Sequence, residues 1–389
     1  MRKWIFAISL LLSNADSAKA QDSLVTNSFK TYRVGFFAPV FLDSAFTGTH
    51  YRYNKNFPRF AFPGLEFFQG AQVALDSILI YQANVEARFY DVRSIKLDQA
   101  LGRREFDSLD LVIGSVREDD FTHLASYAKR KNIPFISATY PNDGGVSGNP
   151  FLVIMNSTLR AHCEAIYSYV LQAHSTDNIV LATQRGSQEE KVALYMKGNN
   201  SPDGSPLLKY KVANIEGDFS VIKNSLDSTK DNVIIGGSLD EIFATELAMA
   251  SAALKNTYRI TLIGMPNWDG FFKKPGPKLK DFPVYFTTPY HNGKQDNYSL
   301  MLTDAYKLRY KINPSELAFK GFETVYLFIK LLAKHPVDFI SHLNDYPHKV
   351  FSDYNFKPVF LSDGTTPDYF ENKHLYFLKM ENGVVSTSF

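Results

Sequence analysis

Few residues in this 389-residue chain stand at spacings that catalysis requires. There is no G-x-G-x-x-G after an apolar run, no phosphate-binding G-x-x-x-x-G-K-[ST], no H-E-x-x-H and no G-x-S-x-G. The nine histidines show no ligand spacing, so neither a metal nor a catalytic site is expected. Cys163 stands beside His162 on a helical pattern, where adjacent residues point apart. It is therefore expected to be a core thiol, not a nucleophile. An enzyme is not expected, and no cofactor is implied.

What the sequence does offer is polar and aromatic side chains where apolar runs stop. In the first half these are Phe41 and Asp43, then Ser115 and Arg117, then Thr139 and Tyr140 with Asn142. In the second half they are Arg185 to Gln188, including Ser187, then Ser238, then Asn267, Trp268 and Asp269. Hydroxyls and free amides at Ser115, Thr139, Ser187 and Ser238 suit a polar head group. Arg117 suits a two-point contact with an anion, and Tyr140 and Trp268 offer faces for an apolar part. Ser115 and Ser238 are equally suited to capping helices, and Trp268 to closing a core.

The elements that must position these residues alternate. Arg33 to Val40 reads as a buried parallel strand. Phe68, Ala71, Leu75 and Ile78 follow on one helix face. Val85 to Tyr90, Leu109 to Gly114, Ile133 to Ser137 and Phe151 to Met155 read as strands. Helices are expected around Leu97 to Phe106, over Phe121 to Lys131 and over Leu159 to Ala173. The alternation continues through strands at Asn178, Lys209, Asn232, Arg259 and Phe282. Two long helices come next, Tyr298 to Lys311 and Ser315 to Lys334, then late strands at Lys357 to Leu361 and Leu375 to Met380. In open sheets of this kind ligands gather at the carboxyl ends of strands, where the residues above fall. So many units exceed one sheet of ordinary width, and two α/β lobes are expected. An internal repeat supports the division. Val112-Ile113-Gly114 is followed by Glu118-Asp119 and Phe121, and Ile234-Ile235-Gly236 by Asp240-Glu241 and Phe243, at identical offsets.

Residues 1–20 read as a secretion signal: Arg2 and Lys3, the apolar run Trp4 to Leu12, and Ala18-Lys19-Ala20 as the cleavage pattern. That run is far shorter than the roughly 20 residues a bilayer span needs. No cysteine follows it to carry a lipid anchor, and a single cysteine excludes an internal disulfide. A soluble periplasmic protein is expected. The net charge of +2 falls to near zero when Arg2, Lys3, Asp16 and Lys19 leave with the signal. Nucleic acid is not an expected partner.

Four passages resemble the type 1 periplasmic binding protein family, the branched-chain amino acid receptor-like proteins of ABC transporters. They are Val34 to Pro39 with Gln69 to Asp76, Asp110 to Gly114 with Ala125 to Ile136, Asn232 to Gly237, and Tyr298 to Leu332 with Gly321-Phe322-Glu323-Thr324-Val325. The resemblance implies two doubly wound three-layer lobes joined by a three-segment hinge. Crossings are expected near Asn156, Thr288 and Pro336. Lobe one would hold residues 31–156 and 289–335, and lobe two residues 157–288 and 336–389. It also implies a solute-binding receptor of an ABC-type uptake system, with a small polar ligand such as an amino acid and a membrane permease as partners. Asp269 would hold an ammonium, as an acidic residue does in related receptors. The fold also serves as a non-transport module, such as an activator of peptidoglycan synthases. Two departures stand out: the long aromatic and basic loop Phe41 to Pro63, a lid or partner surface, and three carboxylates at Glu118, Asp119 and Asp120, where the family's amino-acid receptors offer hydroxyls and free amides.

Overall fold

The computed structural model describes residues 30–54, 57–78, 84–201, 205–272, 279–345, 350–361 and 364–388. The expected cleavage after Ala20 lies outside them. The first lobe opens with β1 (Thr31–Ala38), in which Val34, Phe36, Phe37 and Ala38 are fully buried, the mark of a central strand covered on both faces. A short turn of helix α1 (Leu42–Ala45) and a hairpin, β2 (Phe46–Thr47) and β3 (His50–Tyr51), occupy the long aromatic loop. Then come α2 (Phe62–Ile78), β4 (Asn84–Asp91), a single turn α3 (Leu97–Ala100), β5 (Leu111–Gly114), α4 (Glu118–Lys131), β6 (Phe135–Ser137) and β7 (Leu152–Ile154). The single helix expected over Leu97 to Phe106 is broken: Gly102 separates α3 from a 3-10 turn at Arg104–Phe106.

The second lobe repeats the plan with α5 (Leu159–Ala173), β8 (Asn178–Thr183), α6 (Ser187–Asn200), β9 (Tyr210–Asn214), β10 (Asp231–Gly236), α7 (Glu241–Ala253), β11 (Arg259–Ile263), α8 (Trp268–Phe271) and β12 (Val284–Thr288). Helices α9 (Asn297–Tyr310) and α10 (Glu316–Lys334) return to the first lobe. The chain finishes with β13 (Phe356–Val359), β14 (Tyr369–Asn372), β15 (Tyr376–Glu381) and β16 (Val384–Thr387).

Two seven-stranded sheets result, in orders β13-β14-β7-β6-β5-β1-β4 and β16-β15-β12-β11-β10-β8-β9. Within each, five consecutive parallel strands follow the same doubly wound order, with the direction of winding reversing between the first strand and the third; in the first sheet β14 adds a sixth parallel strand beside β7. The repeat seen in the sequence is therefore a repeat in space. Gly114 and Gly236 end equivalent strands, Ser115 N–H donates to Phe37 O at 2.8 Å, and Gly237 N–H donates to Ala182 O at 2.7 Å.

One expected boundary is corrected. The last crossing does not fall at Pro336, because β14 runs parallel to β7, pairing Phe370 with Val153, and β13 pairs with β14. Phe339, Leu343, Phe351 and Tyr354 join the first lobe's core. Only from Tyr376 does the chain lie in the second sheet. The strand was missed because Tyr369–Asn372 buries polar Glu371 and Asn372, which break an apolar pattern.

In the first lobe α2 and α10 cross almost backbone to backbone. A Cβ at Gly70 would lie 1.9 Å from Ala318 O, and one at Gly321 would lie 2.2 Å from Phe67 O. Those glycines bring the start of α10 over the carboxyl ends of the first sheet.

Candidate functional site

The first lobe's winding reverses between β1 and β5, and a crevice opens there. Ser115 follows β5; its hydroxyl lies 2.9 Å from that of Thr139, which follows β6. Asn156 Nδ2 donates to Thr139 O at 2.7 Å and fixes that loop. The recess beside this hydroxyl pair has a volume of about 430 Å³. Pro39, Phe41, Phe60 and Leu317 form its apolar wall, and Arg93, Arg117, Glu118 and Asp120 its charged rim. Arg93 pairs with Asp120, so one of the three clustered carboxylates is already neutralised. Arg117 is exposed and makes no ion pair among the described residues.

Two non-glycine residues on this wall hold left-handed backbone, Phe41 at φ 61° and Glu118 at φ 52°. Such conformations cost on the order of 1–3 kcal/mol each and collect at binding sites. Phe41 is held by Asp91, whose carboxylate accepts from Val40 N–H at 2.9 Å and Leu42 N–H at 2.7 Å. Burial opposes the charge on Asp91, but donors from Leu42, Ser94, Arg93 and Val40 outweigh it and hold its pKa low. The Phe41 and Phe60 rings meet edge to face at 5.0 Å, so the aromatic loop folds over the recess.

The equivalent crevice in the second lobe is filled from within. Ser238 is fully buried; its hydroxyl donates to Glu189 Oε1 at 2.5 Å and accepts from Gln184 Nε2 at 3.3 Å and Asp240 N–H at 3.1 Å. Glu189 sits in the first turn of α6, where a carboxylate complements the helix's partial positive charge. A Cβ at Gly186 would lie 2.0 Å from its Oε2, so a side chain there would push the Glu189 carboxylate aside.

Of the residues the sequence nominated, Phe41, Ser115, Arg117 and Thr139 come together around the recess. Ser238 and Trp268 are corrected: neither reaches a cleft wall. Gly236 and Gly264, at the ends of neighbouring strands, leave a slot that the Trp268 indole fills. A Cβ at either glycine would lie 2.2 or 2.1 Å from the ring. Trp268 Nε1–H donates to Ser238 O at 2.9 Å, and the side chain is wholly within the second core. Tyr140 packs edge-on against Phe121 at 5.1 Å, away from the recess. Ser187 is exposed at the start of α6. Asn267 Nδ2 donates to Leu239 O at 2.7 Å, while its buried Oδ1 has no hydrogen-bond partner.

Asp269, in the first turn of α8, is half-buried. Its charge acts on Lys320 of α10, together with those of Glu316 and Glu323. Burial nevertheless dominates and lowers the Lys320 pKa. The ammonium lies 3.9 Å from the centre of the Tyr290 ring, a cation–π contact, and the Tyr290 hydroxyl donates to Ala138 O.

The three crossings are bonded to one another. Ser157 Oγ donates to Asn372 O at 2.6 Å, and Thr158 N–H to Glu371 Oε1 at 2.7 Å. Lys373 Nζ lies 2.9 Å from Glu371 Oε2. His162 Nδ1 lies 2.7 Å from Thr287 Oγ1. Burial, then the Lys373 charge, push the His162 pKa down to about 3 despite a hydrogen bond with the Ser157 backbone that raises it. Beside it, burial raises the Cys163 thiol to about 12, as expected of a core cysteine.

Sequence reasoning missed Arg93, Phe60, Leu317, Lys320 and Glu189. Arg93 lies two residues beyond β4, so the strand-end rule reaches it. Leu317 and Lys320 enter only because α10 returns from a distant part of the chain.

No family model matches the sequence, and no curated protein matches it. Solved structures do. A Rhodospirillum rubrum protein described as a branched-chain amino acid ABC transporter matches with TM-score 0.65 at 13% identity, over 92% of this chain and 100% of that one. A branched-chain amino acid ABC transporter periplasmic ligand-binding protein from Burkholderia xenovorans gives 0.60 at 13% identity, over 90% and 91%. An ABC transporter substrate-binding protein from Desulfitobacterium hafniense, in complex with Leu, gives 0.57 at 14% identity, over 92% and 100%. The chain has the type 1 periplasmic binding protein fold, two α/β lobes joined by a hinge.

Proposed function

We propose that this protein is a solute-binding receptor of an ABC-type uptake system, taking a small carboxylic acid with an apolar body, amino acids included. The reading rests on one observation: four nominated residues, Phe41, Ser115, Arg117 and Thr139, line one recess at the winding reversal of the first lobe. Arg117 and the hydroxyls suit the carboxylate, and Phe41, Phe60 and Leu317 the apolar body. Asp269 of the second lobe, whose charge is felt at Lys320 of α10, suits an ammonium. A ligand touching both walls favours the closed form through contacts made only there. The fold's distant relatives support this reading, one of them holding leucine. Location in the periplasm and a permease partner belong to the same proposal. The described residues include no helix long and apolar enough to cross a membrane.

A second reading, an interaction module such as an activator of peptidoglycan synthases, draws on the hairpin. Phe46, Tyr51, Tyr53 and Phe60 form a ladder of ring contacts at 5.4–6.3 Å, and Phe46, Tyr53 and Phe60 are exposed. Calorimetric titration with the twenty L-amino acids and their 2-oxo analogues separates the two. The receptor reading predicts one ligand per chain with roughly micromolar or tighter affinity. Failure of every compound to bind, in protein that carries no co-purified small molecule, overturns it in favour of the module.

A further inference from the structure

At the far end of α10, His335 closes the helix and its N–H donates to Leu331 O at 2.8 Å. A 3-10 turn at Phe339–His342 follows at once and carries the chain back past the helix end. The turn brings together four side chains spaced three, four and three residues apart, at helical intervals that continue past the end of α10: His335, Asp338, His342 and Asp345. The two imidazoles stack with centres 3.6 Å apart and planes 13° apart. Asp338 Oδ2 lies 2.7 Å from His342 Nε2, and its Oδ1 lies 3.9 Å from His335 Nδ1. Asp345 Oδ2 lies 2.5 Å from His342 Nδ1 and 3.7 Å from His335 Nε2. One ligand atom from each of His335, Asp338 and His342 lies within 4.8 Å of the other two.

We propose that His335, Asp338 and His342 bind a divalent transition metal ion of the zinc type, with the fourth position open to water. Donors about 2.0–2.1 Å from a tetrahedral Zn²⁺ stand roughly 3.3 Å from one another. The measured separations bracket that figure, so small side-chain movements complete the site. Loading must tilt the two rings out of their stack so that their lone pairs converge, and the half-exposed Asp338 and Asp345 leave room for this. Asp345 supplies the outer partner. Its carboxylate accepts the Nδ1 proton of His342, which leaves Nε2 as the coordinating atom, the usual carboxylate–histidine–metal arrangement. His335 Nε2 is buried with no hydrogen-bond partner, so its ring is not committed to another network. Two imidazole nitrogens and one carboxylate suit Zn²⁺, Ni²⁺ or Cu²⁺ and not the all-oxygen preference of Ca²⁺ or Mg²⁺. The ion would tie the end of α10 to the turn that leads towards β13. Binding the folded chain alone, it would raise the thermal midpoint.

The test uses the full chain stripped with a chelator and titrated with ZnCl₂ by calorimetry and with CoCl₂ by visible absorption. One ion per chain, a visible Co²⁺ band and a rise in thermal midpoint are expected. The variants His335→Gln and His342→Gln should each weaken Zn²⁺ binding at least tenfold and abolish the band. Co²⁺ absorption of the unaltered protein needs no variant to fold. Absence of binding by either metal at millimolar concentration overturns the proposal. So does one-to-one binding that survives His335→Gln/His342→Gln.

Discussion

Ser238 donates its hydroxyl to Glu189 Oε1 at 2.5 Å, and with that bond the second lobe occupies its own crevice with its own carboxylate. The equivalent position of the first lobe holds Ser115 against Thr139 beside an open recess. Two copies of one supersecondary plan have thus diverged: one retains a place for a ligand's anionic group and the other has filled it.

Ser238→Ala should leave the buried Glu189 carboxylate without its shortest donor. A loss of about 1–3 kcal/mol in urea unfolding is expected. Ligand affinity should stay within about twofold, since neither residue lines the recess. A large loss of affinity at unchanged stability would place Ser238 in the binding site instead.

Trp268→Ala should open a large void in the second lobe's core and cost about 3–5 kcal/mol of stability, read by urea or thermal unfolding. Trp268→Phe should cost less, because it keeps most of the ring between Gly236 and Gly264.

Gly70→Ala and Gly321→Ala each force a methyl group into a facing backbone carbonyl. Each should destabilise by roughly 1–3 kcal/mol or more, and should also weaken ligand binding, because α10 carries Leu317 and Lys320. Unfolding curves and titrations on the same samples check both effects.

His162 makes the hinge sensitive to acid. Its folded pKa, near 3, lies below the unfolded value of about 6.5. Below pH 6.5 the unfolded chain takes up a proton that the folded chain refuses. Stability is therefore full above that pH and falls as pH drops towards 3, at about 1.4 kcal/mol per unit within the window. Urea unfolding at pH 7 and pH 5 should show this slope, and His162→Gln should remove it.

The sequence reading succeeded where chemistry is local. Alternating apolar runs marked most strands and helices, and the Gly114 and Gly236 repeats marked two equivalent strand ends. The reading failed where a partner arrives from far along the chain. Trp268 looks like a loop residue until Gly236 and Gly264 are seen to flank its slot. Glu189 looks like an ordinary helix-start carboxylate until Ser238 points at it. β14 hid because Glu371 and Asn372 are buried for hydrogen bonds at the hinge, not for apolar contact. Arg93 was within reach, two residues past a strand end already recognised.

Native mass spectrometry of the unaltered protein beside the double variant Arg117→Ala/Thr139→Val tests the central claim most directly. The account predicts a small-molecule adduct on the unaltered chain and its loss from the variant, with the thermal midpoint little changed because Arg117 is exposed and Thr139 is only half-buried. An adduct of the same mass and occupancy on both proteins would contradict it.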